Sequence, residues 1–263
     1  MNEIELNEIK KFLYFLCNQA KKITLSGFKE IKDVKYKKDT SPVTKFDVEA
    51  EDVIRRLILK KFPNHNILSE ENPELNNSSD YTWVIDPIDG TKSFIIGRPL
   101  WGTMVSLIFK NKPIVSIIDF PCLNETWLGG DNFCYLNQKL FKHNKNFNVD
   151  LSNTIMASTD PKLFQQKNIK KFKKISNLVK SNLWSGDCHN YILLINGGVD
   201  IVIEENLSCY DVLPLIPIMK SQKILITDWN GKEISFEFDK NLKYQVLACT
   251  NKEVQKTLLK YLQ

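Results

Sequence analysis

Two aspartates stand three residues apart in Trp83-Val84-Ile85-Asp86-Pro87-Ile88-Asp89-Gly90-Thr91, at the end of an apolar run. A buried strand ending in two carboxylates, with Pro87 and Gly90 enforcing a tight turn into a helix, can aim both acids at one spot. Clustered hard oxygens of this kind suit Mg²⁺. The Ile88 carbonyl lies between the two acids and is a candidate further ligand. Gly90 and Thr91 would open a helix whose exposed N–H groups can hold a phosphate. An Asp-rich turn that merely caps a helix has the same pattern. Other acids shift the balance: Glu70 and Glu71 follow a strand end, Asp211 begins a helix, and Asp47 sits three residues after Thr44. Each alone is compatible with a cap. Together they carry the negative charge that two or three Mg²⁺ ions require, and without metal they would repel one another and raise their own pKa values.

The elements that must position these acids follow from periodicity. Residues 4–26 repeat apolar side chains at three- and four-residue steps, which predicts a helix, and a second runs from Lys45 to Phe62, ended by Pro63. Short strands at 66–68 and 82–85 deliver Glu70 and Asp86 at their ends. Thr103–Phe109 and Ile114–Phe120 form a hairpin through Lys110-Asn111-Lys112-Pro113. Residues 131–150 are polar and irregular, the expected boundary between an N-terminal α+β subdomain (1–140) and a C-terminal α/β subdomain (141–263). The second half reads as strand 154–158, helix 162–179, helix 190–196, strand 199–204 and helix 210–219. A hairpin follows, 223–228 with 232–238 through Asn230-Gly231, then a strand at 246–248 and a closing helix. Such alternation predicts an α/β layered sandwich, helices and sheets stacked αβαβα, rather than a barrel or a bundle.

Composition narrows the class. The chain has 263 residues, 43% apolar and 25% charged, enough for a substantial core and ordinary for an ordered globular protein. Six cysteines lack CxxC or paired zinc-ligand spacing and are expected to be free thiols, many of them buried. The histidines His65, His143 and His189 form no hydrolase triad in any recognisable spacing. A net charge of +5 is mild, and the run Lys170-Lys171-Phe172-Lys173-Lys174 fits a solvated helix face better than a nucleic-acid site. No apolar run approaches the roughly 20 residues that span a bilayer, and Met1-Asn2-Glu3-Ile4-Glu5 lacks the basic-then-apolar order of a signal peptide. A cytoplasmic protein without nucleic-acid or membrane partners is expected.

Asp86-Pro87-Ile88-Asp89-Gly90-Thr91 resembles the DPxDGT signature of the inositol monophosphatase family of Mg²⁺-dependent, Li⁺-sensitive phosphatases. Four further stretches occur in the family's order. Pro42-Val43-Thr44-Lys45-Phe46-Asp47 is similar to VTxxD, Ser69-Glu70-Glu71 to GEE, Gly197-Gly198-Val199-Asp200 to GxxD, and Cys209-Tyr210-Asp211 to the WD-containing element. The histidinol-phosphatase branch is resembled best. Trp184-Ser185-Gly186-Asp187-Cys188 looks like its W-x-G-D-C element, and Pro99–Thr103 and Ile118–Pro121 resemble two more of its stretches. Departures are Ser69 for Gly, His189 for an aromatic residue, and Met219-Lys220-Ser221-Gln222-Lys223 for an EAGG stretch.

The resemblance implies a phosphomonoesterase acting on a small phosphorylated metabolite, with two to three Mg²⁺ per site and a homodimeric assembly. Glu70, Asp86 and the Ile88 carbonyl would hold one ion, and Asp86, Asp89 and Asp211 a second. Thr91, bonded to Asp47, would orient and deprotonate the attacking water, while Gly90 and Thr91 N–H groups cradle the phosphate. Glu204 and Asp187 would face the alcohol, with Asp89 and Asp211 beside them. A carboxylate at Asp187 favours a cationic substrate such as L-histidinol phosphate, and a helix N-cap is its bland alternative. Inositol monophosphate, 3′-phosphoadenosine 5′-phosphate and fructose 1,6-bisphosphate are the competing substrates. A non-catalytic metabolite- or metal-binding protein is the competing class.

Overall fold

The structure is a computed structural model that describes residues 2–30, 34–37, 41–143 and 150–263. Helix α1 (Glu3–Gly27) opens on an Asn2–Glu5 capping box and is followed by a short antiparallel pair, β1 (Lys35–Tyr36) and β2 (Pro42–Val43). Thr44 and Asp47 form a second capping box that starts α2 (Lys45–Lys61). The chain then lays down β3 (Asn66–Ser69) and β4 (Tyr81–Asp89), and the short helix α3 (Thr91–Ile95). Five strands follow: β5 (Gly102–Phe109), β6 (Lys112–Phe120), β7 (Glu125–Gly130), β8 (Phe133–Leu136) and β9 (Lys139–Leu140). Strands β3 to β9 lie side by side in sequence order in a seven-stranded sheet, antiparallel except for β3 with β4.

The second half contains β10 (Ile155–Ser158), α4 (Gln166–Ser176), β11 (Ser181–Trp184), α5 (His189–Asn196) and β12 (Ile201–Leu207). It ends with α6 (Cys209–Val212), α7 (Leu215–Ser221), β13 (Leu225–Thr227), β14 (Tyr244–Cys249) and α8 (Lys252–Leu262). Its five strands order as β11-β10-β12-β14-β13.

Alternation along the strands decides what each face meets. Trp83, Ile85, Val105, Leu107 and Ile117 point to Leu13, Leu16 and Ile54 of α1 and α2. On the opposite face Val84, Met104, Ile118 and Trp127 meet α5 and α7 through Ile192, Leu194, Leu215 and Met219. Those helices also cover Val202, Val246 and Ala248 of the second sheet. The far side of that sheet packs on α4 and α8 through Phe172, Ile175, Val254 and Leu258. The layers therefore run α, β, α, β, α, as the sequence pattern predicts. No helix among the described residues is long and apolar enough to cross a membrane.

Several elements differ from the sequence pattern, each for a visible reason. Part of the expected boundary at 131–150 is a hairpin, β8 to β9, which turns through Asn137 and Gln138 at φ 49 and 65. Both positions need left-handed backbone, and Gln138 is an unusual residue to supply it; residues 144–149 lie outside the described part. Pro214 lacks an N–H and divides the expected helix 210–219 into α6 and α7. The Asp228–Gly231 turn forms, yet 232–238 is not a strand. Phe236 leaves the sheet edge to bury itself in the core between the layers, and β13 pairs with β14 instead. Strands β7 and β11 are additions that the sequence pattern did not reveal.

Candidate active site

Residues three apart on a regular strand face opposite sides, so Asp86 and Asp89 could not converge on an unbroken β4. The pairing with β5 resolves this. Asp86 lies opposite Met104 and Asp89 opposite Gly102, so β4 spends three steps where β5 spends two. That extra residue is a β-bulge, which re-aims the side chains beyond it. Pro87 tolerates the gap in the ladder because it has no N–H to leave unpaired, and its carbonyl accepts the Thr103 hydroxyl at 2.8 Å. The expected tight turn is thus a bulged strand that runs through Asp89. Gly90 then adopts φ +83 and begins α3, a conformation that suits glycine.

Oxygens of Asp86, Asp89 and Asp211 approach within 4.8 Å of one another. Asp86 is held by the Ile88 N–H, which donates to its Oδ1 at 3.0 Å. Asp89 Oδ2 accepts the Cys188 N–H at 2.6 Å, and Asp211 Oδ2 accepts the Ser208 N–H at 2.7 Å as part of the cap of α6. Each acid is fixed by one backbone donor. Glu70 lines the same cavity, about 210 Å³ in volume, together with Ile88, Gly90 and Thr91. Asp47 stands behind Thr91: its Oδ2 accepts the Thr44 N–H at 2.9 Å and also the Thr44 hydroxyl, and its Oδ1 accepts the Thr91 hydroxyl at 3.3 Å. The Thr91 hydroxyl also lies 3.0 Å from the Ile88 carbonyl.

The charge balance is unfavourable. Two carboxylates about 4 Å apart repel by roughly 4 kcal/mol at an effective dielectric of about 20. Asp86, Asp89 and Asp211 form no ion pair with a described residue. Burial, then the charges of Glu70, Asp89 and Asp211, push Asp86 well above the ordinary carboxylate range. Burial and the neighbouring Asp187 and Asp211 do the same to Asp89. Asp211 rises to about 7 through burial and Glu70. The donor set is all oxygen, buried, mutually repulsive and short of positive charge, and it fits a hard divalent cation.

Lys37 brings positive charge to Glu70 at the edge of the cluster, and sequence reasoning missed it. Its Nζ lies 2.7 Å from Glu70 Oε1 and 2.8 Å from Glu71 Oε1. Burial draws its pKa down, but the two glutamates outweigh that and raise it. Burial, with Glu70 next, raises Glu71 to about 7. Glu51, also missed, accepts the N–H groups of Glu71 and Asn72 at 2.7 and 2.9 Å and fixes the turn that carries Glu70.

The opposite end of the cavity is built differently. Asp187 follows Ser185 and Gly186 in a run at φ 71, 120 and 47, a strained turn that ends in a residue type tolerant of left-handed backbone. Its carboxylate does not cap α5, which rules out the bland reading; it faces the Ser93 hydroxyl at 3.4 Å. A Cβ on Gly90 would lie 2.9 Å from Asp187 Oδ2, so the two ends of the cavity meet at this glycine. Burial raises Asp187 to about 6. Glu204 is fully enclosed rather than a solvated strand end. Its Oε1 accepts the Thr159 N–H at 3.0 Å and the Thr159 hydroxyl, and its Oε2 accepts the Tyr191 hydroxyl at 2.8 Å. Burial still lifts it to about 7. Tyr191 lies one helical turn beyond Asp187, a spacing that could have revealed it. No local pattern marked Thr159.

All ten residues singled out from the sequence gather around this cavity or, for Asp47, stand directly behind it. The chain belongs to the inositol monophosphatase family, whose model matches residues 5–263. Members are phosphatases that are generally Mg²⁺-dependent, and the protein is a phosphoric monoester hydrolase acting on small phosphorylated metabolites. The chloroplastic bifunctional phosphatase IMPL2 of Arabidopsis thaliana is 34% identical, covering 100% of this chain and 77% of that protein. A histidinol-phosphatase of Chlorobaculum parvum is 29% identical, covering 83% of this chain and 85% of the relative. The solved structure of an inositol monophosphatase from Zymomonas mobilis is 30% identical and superposes with a TM-score of 0.86, covering 100% of this chain and 99% of that one.

Proposed function

We propose that the protein hydrolyses L-histidinol phosphate to L-histidinol and phosphate, a step of histidine biosynthesis. The observation that carries this reading is the Asp187 carboxylate, set in the cavity wall beside Gly90, buried, and in no direct ion pair with a described residue. A substrate ammonium there would gain a charge-assisted hydrogen bond, which a neutral polyol could not offer. The name of the Chlorobaculum parvum relative supports the same choice.

Glu70, Asp86, the Ile88 carbonyl, Asp89 and Asp211 would hold two or three Mg²⁺ ions. Bound Mg²⁺ supplies Lewis-acid chemistry, lowering the pKa of water and stabilising the departing alkoxide. The chain's own groups do the rest. Thr91 holds the attacking water by its hydroxyl and passes a proton toward Asp47 Oδ1. Burial raises Asp47 to about 6, close enough to neutrality for a general base. First-turn N–H groups of α3, from Gly90 and Thr91, donate to the phosphoryl oxygens, because the start of a helix leaves them without intrahelical acceptors. Asp187 and Glu204 contact the alcohol portion, with Asp89 and Asp211 bordering it. We place the protein in the cytoplasm as a homodimer, with a subdomain boundary at 140/141.

Phosphate release in Mg²⁺ from histidinol phosphate, inositol 1-phosphate, 3′-phosphoadenosine 5′-phosphate and fructose 1,6-bisphosphate tests the substrate. The histidinol ester should have the highest kcat/KM. Equal rates on all four would overturn the assignment.

A further inference from the structure

Glu70 and Asp211 reach the carboxylate cluster from opposite halves of the chain, one from the end of β3 and the other from the first turn of α6. One irregular segment between β13 and β14 touches both turns. The Lys240 ammonium donates to the main-chain carbonyls of Glu70 at 2.6 Å and Asn72 at 3.1 Å. Three residues on, the Lys243 ammonium donates to the Ser208 hydroxyl at 2.7 Å. Ser208 is the N-cap whose N–H holds Asp211.

The segment has a fixed shape of its own. Asp239 Oδ1 accepts the Asn241 N–H at 2.8 Å, the Asp239 carbonyl accepts the Leu242 N–H at 3.4 Å, and Leu242 packs against the core between the sheets. Both lysines therefore project from an anchored loop. Glu51 also holds the Glu70–Asn72 turn, but Glu51 belongs to α2 and ties that turn only to the N-terminal half. Lys240 ties it to the half that carries Asp211.

We propose that Lys240 is a positioning residue for the metal cluster: with Lys243, it sets the spacing between Glu70 and Asp211. This rests on the metal reading given above. Lys240 and Lys37 act differently. Lys37 occupies a Glu70 carboxylate oxygen that a metal would claim, so cation binding must displace it. Lys240 bonds carbonyls behind the turn and stays in place when the cluster fills. Its charge also adds positive potential to an acid-rich pocket without consuming a ligand atom. Groups that orient ligands from behind are worth about 10- to 100-fold in metal affinity.

The test is direct Mn²⁺ binding, followed by electron paramagnetic resonance, to wild type, Lys240→Met and Lys240→Arg. It is paired with hydrogen exchange of the Glu71 and Asn72 amides in metal-free protein. Lys240→Met should bind Mn²⁺ about tenfold more weakly or worse, with faster exchange at both amides, and Lys240→Arg should restore most of the affinity. If Lys240→Met does not accumulate folded, Lys243→Met loosens the other arm and should weaken Mn²⁺ in the same way. A lysine that only stabilises the fold would lower the melting temperature and leave Mn²⁺ affinity at the wild-type value; that result overturns the inference. Wild-type protein that takes up no Mn²⁺ would overturn the metal reading itself, and this inference with it, so the two failures are distinguishable.

Discussion

The two ends of the cavity solve opposite problems. At the Asp86–Asp89 end, ordinary devices place the acids: a β-bulge, and capping boxes at Thr44–Asp47 and Ser208–Asp211. Each carboxylate there receives few donors, and charge repulsion remains. At the Asp187–Glu204 end the backbone is unusual, three successive residues with positive φ, while Glu204 is satisfied on both oxygens. One end is regular in structure and unbalanced in charge. The other is strained in structure and better supplied with hydrogen-bond donors. On the proposed reading, the first end awaits a metal and the second a substrate, and substitutions should divide along the same line.

The largest effect belongs to the metal end. Asp89→Asn should cut kcat by about 10³, the several kcal/mol that metal-assisted charge stabilisation supplies, on every substrate alike. It should also raise the melting temperature of metal-free protein by removing one member of a repulsive cluster. Retention of full activity would break the comparison. Asp187→Asn comes next and should be selective. Asparagine keeps the left-handed backbone, so only the charge changes. The loss of a charge-assisted bond, about 1.5–3 kcal/mol, should raise KM for histidinol phosphate roughly 10- to 100-fold and leave inositol 1-phosphate nearly unaffected. A uniform loss on both would remove the distinction between the ends.

The third test is pH. Asp211 titrates near 7 in the folded chain against an ordinary value of 3.8, so between those values the folded state binds the extra proton. The contribution of Asp211 to the stability of the metal-free protein should therefore fall as pH rises from about 4 to 7 and change no further above 7, where this group is ionised in both states. Mg²⁺ should reverse most of that loss, measured by thermal unfolding with and without metal. A metal-free protein that gained stability across this window would contradict the charge imbalance. The smallest effect is at Lys37. Its partly exposed pairs with Glu70 and Glu71 contribute about 1 kcal/mol or less. Lys37→Met should lower the metal-free melting temperature slightly and widen the gap that Mg²⁺ closes.

The sequence made the layers and most of the acids legible, because apolar periodicity and helix starts are local. The capping box that fixes Asp47 is written as Thr44-x-x-Asp47; Pro214 is an equally local signal, yet the expected helix 210–219 runs through it. The bulge was not legible, since an extra residue in β4 is defined only by its register against β5. Lys37, Thr159 and Lys240 were hidden for the same reason: their partners lie far along the chain. Phe236 misled in the other direction, as an alternating apolar pattern that the interlayer core claimed before a sheet edge could.

The backbone angle of Asp187 has an evolutionary consequence. At φ 47 the position penalises most side chains and accepts Asp, Asn or Gly most readily. Both replacements lie one nucleotide change from an aspartate codon, and both discard the negative charge while sparing the turn. If Asp187 selects the substrate as proposed, a lineage carrying this fold can drift between charged and uncharged substrates in one mutational step, whereas a β-branched residue there would strain the turn.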